Sequence, residues 1–313
     1  MKVLHITNNY PTNIHPIFGI FVKEQIDSLT NIGIDNEIFF INGREFGRKA
    51  YWIAIKQLRK KLKNANYDIL HCHHSFTTII LFLTFRWYQS KRIVSYQNPP
   101  KKEGGIFLFT IIKLFFSGVI LKNTKSNKKN IFYLPNGTNT DFFKEYSREE
   151  SIRKLNLDEN RNYIIFMDSN KEKRSQKRVD RFDKVIDLLL KNENPFNIVP
   201  LKLTNTNRNL MPYYLSASSL HIITSDFEGS PNSVKECIAC NTPVVSTPVG
   251  NIDDLIGNIK GCYISQSFDC KELAELVIKS LNHKNFSSRE KLFDKKLDIK
   301  SVAEKLLNIY KSI

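Results

Sequence analysis

The residues best suited to chemistry lie between positions 220 and 250, L-H-I-I-T-S-D-F-E-G-S-P-N-S-V-K-E-C-I-A-C-N-T-P-V-V-S-T-P-V-G. Two glutamates, Glu228 and Glu236, stand there with seven residues between them. Ser230-Pro231 is a helix-start signal, with Ser as N-cap and Pro at the first helical position. A helix from there to about Cys240 puts Glu228 just ahead of its N-terminus and Glu236 in its second turn. The N–H groups of Asn232 and Ser233 then point out of the helix start, where the dipole favours an anion. Carboxylates are poor phosphate ligands and good partners for sugar hydroxyls. A ligand carrying both groups, a nucleotide-sugar, suits this arrangement better than bare phosphate. Solvated acids capping an ordinary helix are the plainer alternative.

Two further constellations carry chemistry. Five cations, Lys171, Lys173, Arg174, Lys177 and Arg178, precede a helix expected over 179–190. That is a natural diphosphate clamp, although solvated surface charge is the better reading of Lys171, Lys173 and Arg174. Residues 67–74, Y-D-I-L-H-C-H-H, read as a strand ending in a His cluster. His71 and His73 share one face, Cys72 and His74 the other. A metal needs a third ligand, and no acid or Cys is placed to supply one on that face. No metal and no cofactor are expected.

The elements that must position these groups alternate strand and helix. Expected strands are 2–7, 36–41, 67–74, 119–121, a strand beginning at 131, 163–167, 198–201, 220–224, 244–246 and 262–264. Expected helices are 20–31, 50–64, 76–87, 106–116, 147–155, 179–190, 211–219, 271–281 and 302–309, with a further helical turn at 253–256. This alternation implies doubly wound α/β domains, whose ligands bind at the carboxyl ends of the strands. Gly19 alone marks the first strand-to-helix turn, so the dinucleotide fingerprint is absent.

A chain of 313 residues suits two domains. Residues 1–134 carry 20 Lys and Arg against 7 Asp and Glu, and the rest carry 27 against 24. So basic a first half suits an anionic partner: a lipid surface, a diphosphate-bearing acceptor or nucleic acid. Solvated Lys side chains are the plainer account. Aromatics are not interleaved with the cations at stacking spacing, so nucleic acid is not expected as a partner. The apolar run 105–121 contains Lys113 and is marginal for a membrane span. It reads as a helix then a strand, with an apolar patch for membrane docking as the functional alternative. Five cysteines form no disulfide framework and fit a reducing cytosol. Cys237 and Cys240 read as core residues. Asn8 and Asn9 cut the first apolar run short, so residues 1–6 read as a strand and not as a signal peptide.

Glu228 and Glu236, with G-S-P after the first and P-V-V-S after the second, resemble the donor-site signature of retaining glycosyltransferases of family 4. Y-P-x4-P-I-F-G-I-F-V-K-E-Q near the N-terminus, D-I-L-H-C-H, and the P-N-G turn at 135–137 are similar to further family segments. Thr138 and Asn139 replace the usual Val-Asp after that turn, and the Gly-Arg usual after strand 163–167 is missing. The resemblance implies a GT-B fold, two Rossmann-like doubly wound parallel-sheet domains facing across a cleft. It implies an acceptor-side domain over 1–134 with a returning helix at about 298–313, and a nucleotide-sugar domain over 135–297. It assigns Glu228 to the sugar hydroxyls and Glu236 to the ribose. Lys177, with Arg178 as alternative, and the helix start at Gly229, Ser230, Asn232 and Ser233 take the diphosphate. Gly19 and His73, with His74 as alternative, take the transferred sugar. The implied enzyme is metal-independent and of bacterial surface-polysaccharide type. Its partners are a nucleotide-sugar donor and a saccharide or lipid-linked acceptor. It is cytoplasmic, with an anionic membrane surface on the inner face of the cell membrane as a further partner. A sugar-nucleotide epimerase of related fold and a basic nucleic-acid-binding protein are the rival readings.

Overall fold

The computed structural model describes residues 1–86, 90–168, 175–191, 196–204 and 206–313. The chain divides into two compact units, Met1–Gly137 with Ile299–Ile313, and Thr138–Asp298.

Unit 1 runs β1 (Lys2–Thr7), α1 (Ile20–Asn31), β2 (Asp35–Phe40), α2 (Gly43–Phe46), α3 (Lys49–Asn64), β3 (Ile69–His73), α4 (Ser75–Phe82), β4 (Lys91–Tyr96), α5 (Gly105–Phe115), β5 (Gly118–Leu121) and β6 (Ile131–Tyr133). Its six strands are all parallel in the order β2-β1-β3-β4-β5-β6. The order reverses between β1 and β3, and that switch point is where doubly wound sheets hold ligands. Alternate residues feed two cores. Leu4, Ile6, Cys72, Val94 and Tyr96 pack on one face, and Val3, Ile69, Ile93 and Ile120 on the other.

Unit 2 runs α6 (Arg148–Leu155), β7 (Asn162–Asp168), α7 (Val179–Leu190), β8 (Ile198–Thr204), α8 (Met211–Ala217), β9 (Leu220–Ile223), α9 (Asn232–Ala239), β10 (Val244–Ser246), α10 (Ile252–Ile256), β11 (Tyr263–Ile264), α11 (Cys270–Leu281) and α12 (Arg289–Asp294). The five strands are again parallel, ordered β11-β10-β9-β7-β8, with the switch point between β7 and β9. The last helix, α13 (Ile299–Ser312), belongs to unit 1 and sends Val302, Leu306 and Tyr310 into the same core as Leu29 of α1.

The doubly wound α/β class read from the alternation is the observed one. Three elements, α2, β4 and α12, go beyond the expected set. The apolar helix expected over 76–87 stops at Phe82, because Thr84 Oγ1 donates to Leu81 O at 2.7 Å and Phe85 turns left-handed at φ 54°. Trp87, its expected end, lies outside the described residues, as do Lys171, Lys173 and Arg174.

Candidate functional site

In unit 2 the switch point gathers most of the singled-out residues. Lys177 closes a 3-10 turn, Ser175–Lys177, ahead of α7. The loop after β9 is tied to that turn. Thr224 Oγ1 donates to Lys177 O and Arg178 O at 2.9 and 3.0 Å, and Asp226 N donates to Gln176 O at 2.8 Å. This strap brings Lys177 Nζ to 2.6 Å from Glu228 Oε1, which also accepts from Ser225 Oγ at 2.8 Å. Both members of the ion pair are only 15% exposed.

Arg178, the alternative clamp residue, is turned elsewhere. Its left-handed backbone (φ 53°) lets the guanidinium fork onto Asp180 at 2.7 and 2.8 Å and reach Asp226 at 3.1 Å. Arg181 ties the same Asp226 at 2.8 Å and donates to Thr224 O.

The helix after Glu228 begins one residue later than expected. Pro231, extended at ψ 117°, takes the N-cap place, and α9 starts at Asn232. Ser230 is therefore not the cap, and its Oγ accepts from Lys235 Nζ at 3.3 Å. Lys235 is wholly buried, where the helix pattern suggested no special role for it. Ser233 Oγ lies 3.3 Å from His221 Nε2. His221 Nδ1 donates to Ile165 O at 3.0 Å, so its Nε2 is the bare nitrogen and the Ser233 hydroxyl is the donor. What α9 offers an anion is then its backbone N–H groups, which have no intrahelical acceptor in the first turn. Burial holds the His221 pKa down at about 4, so the ring is neutral.

Glu236 lies in the second turn of α9, as the spacing requires. Its Oε1 is 3.7 Å from an Arg208 nitrogen, and the Arg208 guanidinium sits 5.3 and 5.0 Å from the Phe142 and Phe143 rings. Nothing in the sequence around Arg208 marks it, because its partners come from distant segments. Behind Gly229 stands Gly250, at φ +57°. A Cβ there would lie 2.3 Å from Gly229 O. Only glycine allows this approach, and Asn251 N donates to the same carbonyl at 3.2 Å. Cys237 and Cys240 are buried in the core with Cys262, as read from the sequence.

Unit 1 holds the other two singled-out residues. Gly19, at φ +68°, packs on the loop after β1, where a Cβ would lie 2.2 Å from Asn9 C. His73, at the tip of β3, is buried with His71 on the same strand and His5 on β1. His5 Nδ1 is 2.9 Å from His73 Nε2, and the His71 and His73 rings stack at 4.1 Å. His71 meets Tyr310 OH at 2.6 Å and Ser95 Oγ at 2.8 Å. Burial lowers the pKa of all three rings, that of His5 to about 4. His74 is occupied otherwise. It caps α4, its Nδ1 accepting from Phe76 N at 3.3 Å while its ring stacks on Phe76.

The expectation that no third metal ligand shares the face of His71 and His73 is corrected here. His5 supplies a third imidazole, and the ligand atoms lie within 4.8 Å of one another. Parallel register puts His5 beside His71, which no spacing within residues 67–74 could reveal.

Two buried charges near this cluster also had no sequence signal. Glu103 accepts from the N–H groups of Ser75, Gln97 and Asn98 at 2.8–3.0 Å, while burial pushes its pKa up to about 7. Lys122 follows β5. Its Nζ is buried with no hydrogen-bond partner, and burial pushes its pKa down to about 7.

Residues 176–283, about a third of the chain, match a family model described as glycosyl transferases group 1. Among curated proteins, none matches. The structure is similar to sucrose-phosphate synthase from Thermosynechococcus elongatus, with a TM-score of 0.75 at 12% identity over 99% of this chain and 98% of that one. Anabaena HepE in complex with UDP and glucose gives 0.71 at 12% identity, over 100% of both chains. A glycosyltransferase from Rickettsia africae gives 0.70 at 14% identity, over 99% and 97%. At these identities the likeness establishes the fold, two parallel-sheet α/β units as in GT-B glycosyltransferase structures.

Proposed function

We propose that the protein is a retaining glycosyltransferase. It moves a sugar from a nucleotide-sugar to a saccharide or lipid-linked saccharide acceptor. The observation that carries this reading is the Lys177–Glu228 ion pair at the start of α9, with Glu236 one helical turn further on. A diphosphate arriving there draws the Lys177 ammonium away and meets the α9 N–H groups. Glu228 is then released to the sugar hydroxyls, and Glu236 takes the ribose. Charge grows on the leaving diphosphate in the transition state, so the cation and N–H groups act most strongly then. Because they take up that charge, turnover is expected to persist in excess chelator. His73 and Gly19 are assigned to the transferred sugar. HepE has been solved with UDP-glucose and a starch synthase with ADP and acarbose, which makes UDP- and ADP-sugars the first donors to try.

The deciding experiment is calorimetric donor binding to Glu236→Ala. Losing a charged hydrogen-bond acceptor costs about 1.5–3 kcal/mol, a roughly 10- to 150-fold weakening. Unchanged affinity would remove Glu236 from the site. Glu228→Ala should lower turnover more than affinity. Donor consumed without any acceptor would point to an epimerase.

An anionic membrane is the proposed docking partner of unit 1. Phe76 and Leu83 from α4 and its following turn, then Phe85, Phe107 and Leu114, are exposed apolar side chains. Phe107 reaches 81%. Lys101 and Lys102 are exposed just ahead of α5. Among the described residues no helix is long and apolar enough to cross a membrane, so this face would lie in the interface. Binding to phosphatidylglycerol vesicles that Phe107→Ser with Leu114→Ser abolishes would support it. All five cysteines are free, four of them buried, in keeping with a cytoplasmic, reducing compartment.

A further inference from the structure

The protonation pattern of the buried histidines follows from one amide on β2. Asn36 Nδ2 lies 3.0 Å from both Thr30 Oγ1 and Ile34 O. A carbonyl oxygen only accepts, so that atom must be the amide nitrogen. Asn36 Oδ1 is therefore the atom 2.8 Å from His5 Nε2. Since Oδ1 only accepts, His5 Nε2 carries the proton. Burial keeps His5 neutral, and a neutral imidazole has one N–H, so His5 Nδ1 is a bare lone pair. It faces His73 Nε2 at 2.9 Å, and His73 must donate. His73 is buried and neutral as well, which leaves its Nδ1 bare. That nitrogen is buried and has no partner.

This bare nitrogen lies at the switch point of a doubly wound sheet, the place where such folds bind ligands. It can only accept. Lys122 stands on the same sheet face, since His73 pairs with Ser95, Ser95 with Ile120, and Lys122 follows two residues later. Its charge acts on His73, which disfavours an ammonium or other cationic donor. Neutral donors, a hydroxyl or an amide N–H, remain, and on the transferase reading a saccharide supplies the hydroxyl. We propose that Asn36 and His5 are positioning residues that hold His73 in its Nε2–H tautomer, making Nδ1 an obligate acceptor for a saccharide hydroxyl. The tautomer stands on the hydrogen-bond geometry and the complete burial of both rings, whereas the hydroxyl ligand rests on the transferase reading.

The His5–His73 separation is that of a hydrogen bond. Two nitrogens on one tetrahedral zinc, each about 2.0–2.1 Å from the metal, would sit about 3.3 Å apart. Metal ligation is thus the competing outcome.

The test is a long-range 1H–15N spectrum of the full chain with 15N-labelled histidine at pH 7. His73→Gln identifies the His73 signals. The expected result is a single neutral Nε2–H ring with a bare Nδ1. His5→Asn retains an acceptor for His73 Nε2–H and should keep this form, while His5→Leu should yield a tautomer mixture. An Nδ1–H ring or an imidazolium in the wild-type protein overturns the proposal, whether or not the variants fold. So does a pure Nε2–H ring in folded His5→Leu. One equivalent of zinc should leave the spectrum unchanged. A joint shift of the His5 and His73 signals would assign the cluster to metal instead. For the hydroxyl role, His5→Leu should lower donor turnover about tenfold, with His5→Asn restoring it. Equal turnover in both variants overturns that role. Because the spectrum needs no activity, failure of the tautomer and failure of the transferase reading are told apart.

Discussion

Replacing Lys122 by Met should stabilise unit 1. The Lys122 ammonium is buried without a hydrogen-bond partner, and its pKa is held down at about 7 against an ordinary value of 10.5. At pH 7 the unfolded chain keeps this lysine fully protonated, while the folded chain keeps it about half protonated. The difference costs folding about 4 kcal/mol by proton linkage. Attraction to Glu103 is already contained in that figure. Met fills similar volume with no charge to desolvate. Glu103 loses a neighbouring cation in the variant, so the expected gain is about 2–4 kcal/mol. For a unit of this size that raises the melting temperature by about 5–15 °C.

The sign of the pH dependence follows from the same values. A lysine with a lowered folded pKa destabilises below 10.5, so its cost falls to about 2 kcal/mol at pH 9. Glu103, raised from 4.5 to about 7, works the other way and offsets only a small part of this over that interval. Unit 1 should therefore gain about 2 kcal/mol between pH 7 and 9, and Lys122→Met should remove the gain. Scanning calorimetry at the two pH values measures both effects. A lower melting temperature in the variant, or a wild-type unit 1 indifferent to pH over this range, would refute the reasoning.

Three more outcomes are expected. Lys177→Ala and Glu228→Ala should each destabilise unit 2, and the double variant should be less destabilised than the sum. A coupling of about 1–3 kcal/mol in denaturant unfolding would measure the half-buried ion pair, and zero coupling would dissolve it. Gly250→Ala should weaken nucleotide binding as well as stability, because the new Cβ displaces Gly229 O. Gly33, also left-handed but with nothing within 4 Å of a Cβ, is the control that should lose only about 1–2 kcal/mol of backbone strain. Acid should loosen unit 2 through His221, whose folded pKa of about 4 lies below the ordinary 6.5. Stability present above pH 6.5 is lost as pH falls toward 4, about 2 kcal/mol of it by pH 5. Lys177 and Glu228 act on this ring with opposite signs. His221→Gln should flatten the acid limb, and an unchanged limb would exclude the ring as its cause.

Local signals were legible wherever one short segment contained the whole argument. The ends of β1, α1, α7 and β10 coincide with their apolar periodicity and stop signals. The helix start after Glu228 was misplaced by one residue, because Ser-Pro can place either residue at the cap and only ψ of Pro231 decides. The choice between Lys177 and Arg178 was open in the sequence, since adjacent cations are equivalent until the backbone turns. Asp180 and Asp226, one nearby and one 48 residues away, hold Arg178 and leave Lys177 to face Glu228.

The sequence by itself determined the alternating α/β class, the two carboxylates flanking one helix start, and the histidine-tipped strand. Each depends on spacing along a single element, which backbone geometry converts directly into a face or an end. Tertiary structure alone decided which partners those residues meet. His5 reaches His73 across 68 residues through strand register, and Arg208 reaches Glu236 from a different element. Lys122 and Lys235, written like solvated lysines, are buried because the sheet and helices close over them. Packing sets burial, and burial sets whether a charge is held, paired or suppressed.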